Sequence, residues 1–182
     1  MEQTTVTKQN QQEFYKSLYR QQLDNKQSLI DIVSYDHVVL VDCCGWHYEK
    51  IFQRPVTKIE CLITAKNFDL NLTHFDKMID DRDRDNLRWP AIDISDCVLI
   101  FDRSQLLRYR TIKEINKILN SAIQTYKPNK VIVRADTRFI DDNRFVNRIN
   151  NLAGINIDGY VVEKFLYSVH DNIYCSEHRK YQ

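Results

Sequence analysis

Four short runs of apolar, mostly β-branched residues recur along the chain and predict buried β-strands. They are His37–Asp42, Val56–Ile63, Cys97–Phe101 and Val131–Val133. Near-continuous apolar runs of this length are typical of strands that are covered on both faces of a parallel sheet. We therefore expect a mostly parallel sheet in which the first run is a central strand.

Helical spacing separates these strands and is clearest in the second half of the chain. Apolar residues recur there at positions three and four apart: Ile112, Ile115, Ile118, Leu119, Ala122, Ile123 and Tyr126. The capping box Thr111-x-x-Glu114 predicts the start of this helix, and Lys127-Pro128 predicts its end. Weaker helical patterns lie between Gln11 and Val33, over Trp46–Gln53, and from Asp141 or Asp142 to Gly154.

Two segments complete the prediction of local structure. Tyr160–Val169 and Ile173–His178 are strand-like and are joined by a short polar turn, which predicts an antiparallel hairpin. Between Thr64 and Asn86 the pattern is only loosely helical, and the alternating charges of Asp80–Asp85 are typical of a solvated loop. Strands that alternate with helices indicate an α/β fold with helices on both faces of the sheet.

The length and the glycine content narrow the class of protein. With 182 residues, the chain is expected to form one domain, residues 11–182, after a flexible N-terminus of residues 1–10. Gly45, Gly154 and Gly159 are its three glycines, which excludes intact G-x-G-x-x-G and P-loop motifs.

Charge and cysteine content bear on partners and compartment. The formal net charge of +1 provides no global field for a nucleic-acid or membrane-surface binder. The chain has no apolar run long enough to span a membrane and no apolar signal core at its N-terminus, and its five cysteines are an odd number. We therefore expect a reducing, cytoplasmic setting. Abundant Asn, Ile, Lys, Asp and Tyr beside scarce Gly, Ala and Pro resemble the output of an AT-rich genome, bacterial or viral. For a viral protein the setting would be the host cytoplasm.

Candidate chemistry is expected where the strands end. In open α/β sheets, ligands bind outside the carboxyl ends of the strands, at the point where the strand order reverses. The first strand is followed by Asp42-Cys43-Cys44-Gly45, the second carries Glu60, and the third is followed by Asp102-Arg103. These side chains are the first candidates for a binding site.

With these motifs, residues 11–182 resemble the class I S-adenosylmethionine-dependent methyltransferases. The strand that closes in Asp42 with Cys44-Gly45 is similar to that family's glycine-rich loop, and Glu60 is similar to its acid in the second strand. Asp85-Asn86-Leu87 with Trp89-Pro90 resembles the segment that leads to the family's fourth strand, which corresponds here to Cys97–Phe101. The amphipathic helix, the segment Tyr126-Lys127-Pro128-Asn129-Lys130 and the strand Val131–Val133 resemble, in this order, the family's helix, turn and fifth strand.

The resemblance implies a Rossmann-like three-layer sandwich whose mostly parallel sheet ends in an antiparallel β-hairpin. It also implies transfer of a methyl group from S-adenosylmethionine to an unidentified acceptor. Asp42, Cys44, Gly45 and Glu60 would then lie near the cofactor, and Asp85 would lie near its adenine. Asp102 would face the acceptor as the candidate catalytic residue.

The glycine-poor loop leaves a second function open. Cys43, Cys44 and Trp46 stand where the family has small residues, so a non-catalytic binding or assembly module of the same fold, for example in a viral particle, is the alternative hypothesis. A third hypothesis is a nucleotide- or nucleic-acid-binding domain that uses the arginines after the strands Cys97–Phe101 and Val131–Val133. These arginines are Arg103, Arg108, Arg110, Arg134, Arg138, Arg144 and Arg148.

Each candidate residue also has a purely structural interpretation. Asp42 could cap a helix, Glu60 could face solvent, Asp85 could belong to the solvated charge run and Asp102 could be a surface acid. The arginines could bind an anionic acceptor, but the aspartates interleaved with them could equally pair with them. No metal site is expected, since Cys175-x-x-His178 has no second pair of ligands at a suitable spacing.

Overall fold

The computed structural model describes residues 37–43, 56–67, 75–93, 96–102, 104–136, 155–168 and 173–181. All of them belong to the compact unit Tyr35–Gln182. The helices predicted between Gln11 and Val33, over Trp46–Gln53 and up to Gly154 lie outside the described residues. The start of the domain at residue 11 stays a prediction.

The described residues form a seven-stranded sheet with the order β3-β2-β1-β4-β5-β7-β6. Its strands are β1 His37–Val41, β2 Val56–Cys61, β3 Lys77–Ile79, β4 Cys97–Asp102, β5 Lys130–Asp136, β6 Tyr160–Ser168 and β7 Ile173–Lys180. Strands β1 to β5 are parallel to one another, whereas β7 lies antiparallel between β5 and β6. The mostly parallel sheet that ends in an antiparallel hairpin is thereby confirmed, as is the central position of β1.

The apolar runs predicted the strands because both faces of the sheet are covered. Val39 and Val41 of β1 belong to a core cluster on one face, whereas Val38 and Leu40 point to the other face and are also buried. The same alternation holds in β4, where Val98 and Ile100 are as deeply buried as Leu99 and Phe101. A strand in this position needs apolar residues at every position.

Three described segments are helical: α1 Leu62–Asn67, the 3₁₀ turn Gln105–Leu107 and α2 Ile112–Tyr126. Helix α2 begins at the predicted capping box, in which the Thr111 hydroxyl accepts the Glu114 N–H and the Glu114 carboxylate accepts the Thr111 N–H. It ends at Lys127, whose left-handed backbone (φ 46°) precedes Pro128. Its buried stripe packs into the core cluster of the sheet.

Among the differences from the prediction, one strand end and one missed strand have reasons that lie outside the local sequence. Strand β2 was expected to run to Ile63 but ends at Cys61, because the Ile63 N–H donates to Asp81 Oδ1 (3.0 Å) at the start of α1. Strand β3 was not predicted. It has three residues, of which Ile79 is fully buried and Lys77 and Met78 are exposed, so it shows too little apolar pattern to be recognised.

The helices in the described part of the chain are all too short or too polar to cross a membrane.

Candidate functional site at the carboxyl edge of the sheet

The strand order places a reversal point between β1 and β4. From β1 the chain proceeds outward through β2 to β3 and then returns to form β4 on the other side of β1. Because β1, β2 and β4 are parallel, their carboxyl ends meet at one edge of the sheet. Asp42, Glu60 and Asp102 all lie at this edge.

Asp42 is fully buried and connects three parts of the chain. Its backbone has a left-handed conformation (φ 51°), which aspartate tolerates better than most residues. One carboxyl oxygen, Oδ2, accepts the Leu106 N–H (2.5 Å) and the Ser104 hydroxyl (3.2 Å) from the segment after β4. Burial raises the pKa of Asp42, whereas hydrogen bonds from Glu60 and Thr64 lower it.

Glu60 lies beside Asp42 and is 5% exposed. Burial, followed by hydrogen bonding to Asp42 and repulsion from its charge, raises the pKa of Glu60 to about 11. Its Oε1 atom is buried and has no hydrogen-bond partner among the described residues. The two acids that the sequence pattern placed near a ligand therefore lie side by side, and each keeps one buried oxygen without a hydrogen-bond partner among the described residues.

Asp81 also belongs to this cluster and was missed by the sequence analysis. It is buried, its Oδ1 accepts the Ile63 N–H, and its charge contributes to the raised pKa of Glu60. Asp80 and Arg82 beside it form an exposed pair, as the solvated-loop interpretation expected. Recognition of β3 would have revealed Asp81, because it follows that strand by two residues.

Cys43 and Asp102 close the β1–β4 side of the site. The Cys43 sulfur lies 3.2 Å from the Val41 carbonyl oxygen and 3.4 Å from that of Ile100, and it accepts the Asp102 N–H at 3.2 Å. Asp102 is 2% exposed, and its Oδ2 lies 4.0 Å from Arg134 Nη1. The reversal point thus contains a thiol and a carboxyl group that is accompanied by an arginine.

Among the remaining candidate residues, Asp85 lies away from the buried acids. The side chain of Asp85 is 86% exposed, and its Oδ1 lies 3.2 Å from Lys117 Nζ, so it is not part of the buried cluster. Cys44 and Gly45 lie outside the described residues. The placement of Asp85, Cys44 and Gly45 next to a cofactor stays a prediction.

The described arginines of this edge contact protein groups. Arg108 donates to Gln105 Oε1 and to the Tyr109 hydroxyl, and buried Arg110 donates to the Leu106 carbonyl oxygen. Arg134 faces Asp102. The other four arginines of this group, Arg103, Arg138, Arg144 and Arg148, lie outside the described residues. An anionic acceptor stays a prediction.

Comparison with solved structures places this geometry in a known fold. An rRNA methylase from Escherichia coli superposes with a TM-score of 0.50 at 13% identity, covering 90% of this chain and 67% of its own. The chain has the class I methyltransferase fold. Similarity is also found to the N-methyltransferase NodS of Bradyrhizobium japonicum, with a TM-score of 0.49, 8% identity and coverage of 88% of this chain and 97% of NodS.

A third similar structure is a magnesium protoporphyrin IX methyltransferase from Synechocystis, solved with bound S-adenosylmethionine. It has a TM-score of 0.44 and 8% identity, and the match covers 93% of this chain and 79% of that enzyme. No protein-family model matches the chain, and no curated protein matches it in sequence. At these identities the comparisons establish the fold alone.

Proposed function

We propose that the protein is an S-adenosylmethionine-dependent methyltransferase whose acceptor is not identified. One observation carries this proposal: Glu60, at the carboxyl end of β2, is buried beside Asp42 and keeps Oε1 without a hydrogen-bond partner among the described residues. A buried polar atom without a partner costs free energy unless a ligand satisfies it. The hydroxyl groups of a nucleoside ribose are suitable donors.

The side chains at this edge have the hydrogen-bonding groups that such a cofactor needs. Glu60 would accept a ribose hydroxyl, and Asp42 would hold the segment from Ser104 to Leu106 against the ends of β1 and β2. When bound, S-adenosylmethionine supplies an electrophilic methyl group. Displacement at this methyl group by an acceptor atom needs correct positioning of the reactants more than acid or base assistance. The protein's main contribution would therefore be to position them.

Asp102 is the residue that we assign to the acceptor side. It ends β4 on the opposite side of the reversal point from Glu60, and Arg134 lies near its carboxylate. There it could orient an acceptor or remove its proton during the transfer. The acceptor itself has to be found by experiment.

The direct test is calorimetric titration of the protein with S-adenosylmethionine and S-adenosylhomocysteine. We expect micromolar affinity, which the Glu60→Ala variant should weaken about tenfold to a hundredfold, the range for a lost hydrogen bond to a carboxyl group. Asp158→Ala, an exposed acid just before β6, is the matched control and should bind normally. Thermal unfolding of each variant verifies that it is folded.

Absence of binding to the folded wild-type protein would contradict the proposal and would favour the non-catalytic binding or assembly module. The nucleic-acid hypothesis has its own test, since retention on a nucleic-acid column that falls steeply with salt is expected for it. Flow-through that does not depend on salt would remove that hypothesis.

A further inference from the structure

The contact between Asp42 and Glu60 has a consequence that does not depend on a cofactor. Both carboxyl groups are buried. The register that aligns Val41 with Ile59, together with the bond from the Asp42 N–H to the Ile59 carbonyl oxygen, places the two residues side by side at the ends of β1 and β2. Two carboxylates that share a buried site repel each other strongly, so one of them is expected to keep its proton. The geometry around the pair indicates which one.

The hydrogen-bond donors of the neighbourhood converge on Asp42. Its Oδ2 accepts the Leu106 N–H at 2.5 Å and the Ser104 hydroxyl at 3.2 Å, an arrangement that favours the ionised form. By contrast, Asp42 Oδ1 and Glu60 Oε1 are buried and receive no hydrogen bond of good geometry from the described residues. A proton on Glu60 that is donated to Asp42 would join the two carboxyl groups.

The described titratable groups around the pair do not remove the need for this proton. They are all neutral or acidic: Cys43 after β1, Cys61 on β2, Asp81 after β3 and Asp102 at the end of β4. Arg110, a buried described cation, interacts with Asp81 and Glu114. No ion pair between described residues involves either member of the pair.

A bound cation would be another way to neutralise two acids, but no group of described His, Cys, Asp or Glu side chains is arranged to hold a metal ion.

We propose that Asp42 and Glu60 share one proton, which lies on Glu60 and is donated to Asp42, so that the pair carries a single negative charge. Asp42 is then a positioning residue: its ionised carboxylate anchors the segment after β4 to the ends of β1 and β2.

The first test measures the proton through its effect on folding. Glu60 would be protonated in the folded protein and ionised in the unfolded chain at neutral pH, so stability is present at low pH and is lost as the pH rises. Between pH 7 and pH 9 the folding equilibrium constant of the wild type should fall about tenfold per pH unit relative to Glu60→Gln. Urea unfolding at each pH gives the folding equilibrium constant of the wild type and of Glu60→Gln, and so a curve of stability against pH for each.

Glu60→Gln is the suitable variant because its amide resembles a protonated carboxyl group and can donate to Asp42. Asp158→Asn, an exposed acid, serves as the control, and its stability should follow the wild type across the same range. Parallel curves for the wild type and Glu60→Gln would overturn the proposal.

The second test observes the proton directly and does not require Glu60→Gln to fold. In protein with ¹³C-labelled glutamate, the wild type should retain one protonated glutamate carboxyl signal at pH 8, whereas exposed glutamates are ionised there. In Asp42→Asn this signal should titrate at lower pH, because the like charge beside Glu60 has been removed. A purely structural role of Asp42 would leave the titration unchanged.

Either of two results would refute proton sharing: a wild-type spectrum in which every glutamate carboxyl is ionised at pH 8, or identical titration in the wild type and Asp42→Asn. Both measurements are made without S-adenosylmethionine. Failure of the cofactor to bind would therefore leave this inference standing, and failure of proton sharing would leave cofactor binding to be decided by calorimetry.

Discussion

At the scale of single residues, the conformation of Asp42 determines the geometry of the site. Its N–H continues the β1–β2 ladder by donating to the Ile59 carbonyl oxygen at 2.6 Å, and its left-handed φ then turns the chain at the end of the strand. Its carboxylate reaches Ser104 and Leu106, which are more than sixty residues away in sequence. A side chain of this kind serves as an anchor for a loop.

His178 is a second buried polar residue whose chemistry is set by its surroundings. It is 1% exposed, and its Nε2 lies 2.8 Å from the Ser176 hydroxyl on the same face of β7. Burial lowers its pKa to about 4. Its side chain is a neutral part of the folded core, and the pair Cys175-x-x-His178 has no metal-binding arrangement among the described residues.

This lowered pKa predicts acid sensitivity. As the pH falls from about 6.5 towards 4, the unfolded chain binds a proton that folded His178 does not, so stability present above pH 6.5 is lost by about 3 kcal/mol. His178→Gln should lack this part of the loss. Urea unfolding between pH 4 and pH 7 measures the difference, and coincident wild-type and His178→Gln curves would argue against it.

At the scale of elements, α2 shows how local sequence and tertiary packing agree. Its cap fixes the first turn, its apolar stripe packs into the core of the sheet, and Trp89 extends the contact by donating to the Ser121 hydroxyl at 2.8 Å. The Trp89 ring also lies edge-on to Phe101 and to Tyr126. The helix is thereby held at both its buried and its half-buried surfaces.

The cap of α2 should contribute measurably to stability. Thr111→Ala removes the hydroxyl that accepts the Glu114 N–H and should cost about 1 kcal/mol, whereas Thr111→Ser should retain the bond. Thr125→Ala, near the exposed end of the same helix, is the control and should have little effect. If Thr111→Ala and Thr125→Ala unfold at the same urea concentration, the cap does not contribute.

At the scale of the whole molecule, a buried ion-pair cluster fastens the terminal hairpin to the parallel part of the sheet. Lys130 of β5 places Nζ 3.0 Å from Glu177 Oε2 on β7 and 3.1 Å from Glu163 Oε2 on β6. The side chains of Lys130 and Glu177 are 5% and 1% exposed, so their contact is shielded from water, whereas Glu163 is half-exposed. Strand pairing alone would allow other registers, and this charge match favours the observed one.

Removal of one partner should therefore be costly. Glu177→Ala leaves Lys130 buried with only the half-exposed Glu163, and it should destabilise the protein by about 3 kcal/mol. Asp80→Ala, which breaks an exposed pair with Arg82, should not change the urea midpoint. Equal midpoints for the two variants would show that the cluster makes no net contribution.

The sequence predicted most of the sheet because its signal is local. A strand buried on both faces must be apolar at every position, and an amphipathic helix must repeat its apolar residues, so β1, β4, α2 and the hairpin could be recognised without knowledge of their neighbours. Strand β3 and the end of β2 could not. Their conformation depends on pairing with β2 and on the bond from Ile63 to Asp81, and both are contacts between segments.

The spacing of neighbouring residues was enough to predict β1, β4 and the hairpin, the acids at the ends of strands and the cap of α2. Only the fold places Asp42 beside Glu60, brings Asp81 to them and binds Ser104 and Leu106 to Asp42. Those contacts arise from the order of strands in the sheet. That order brings together residues that are far apart in the chain and buries them. The burial in turn changes their protonation.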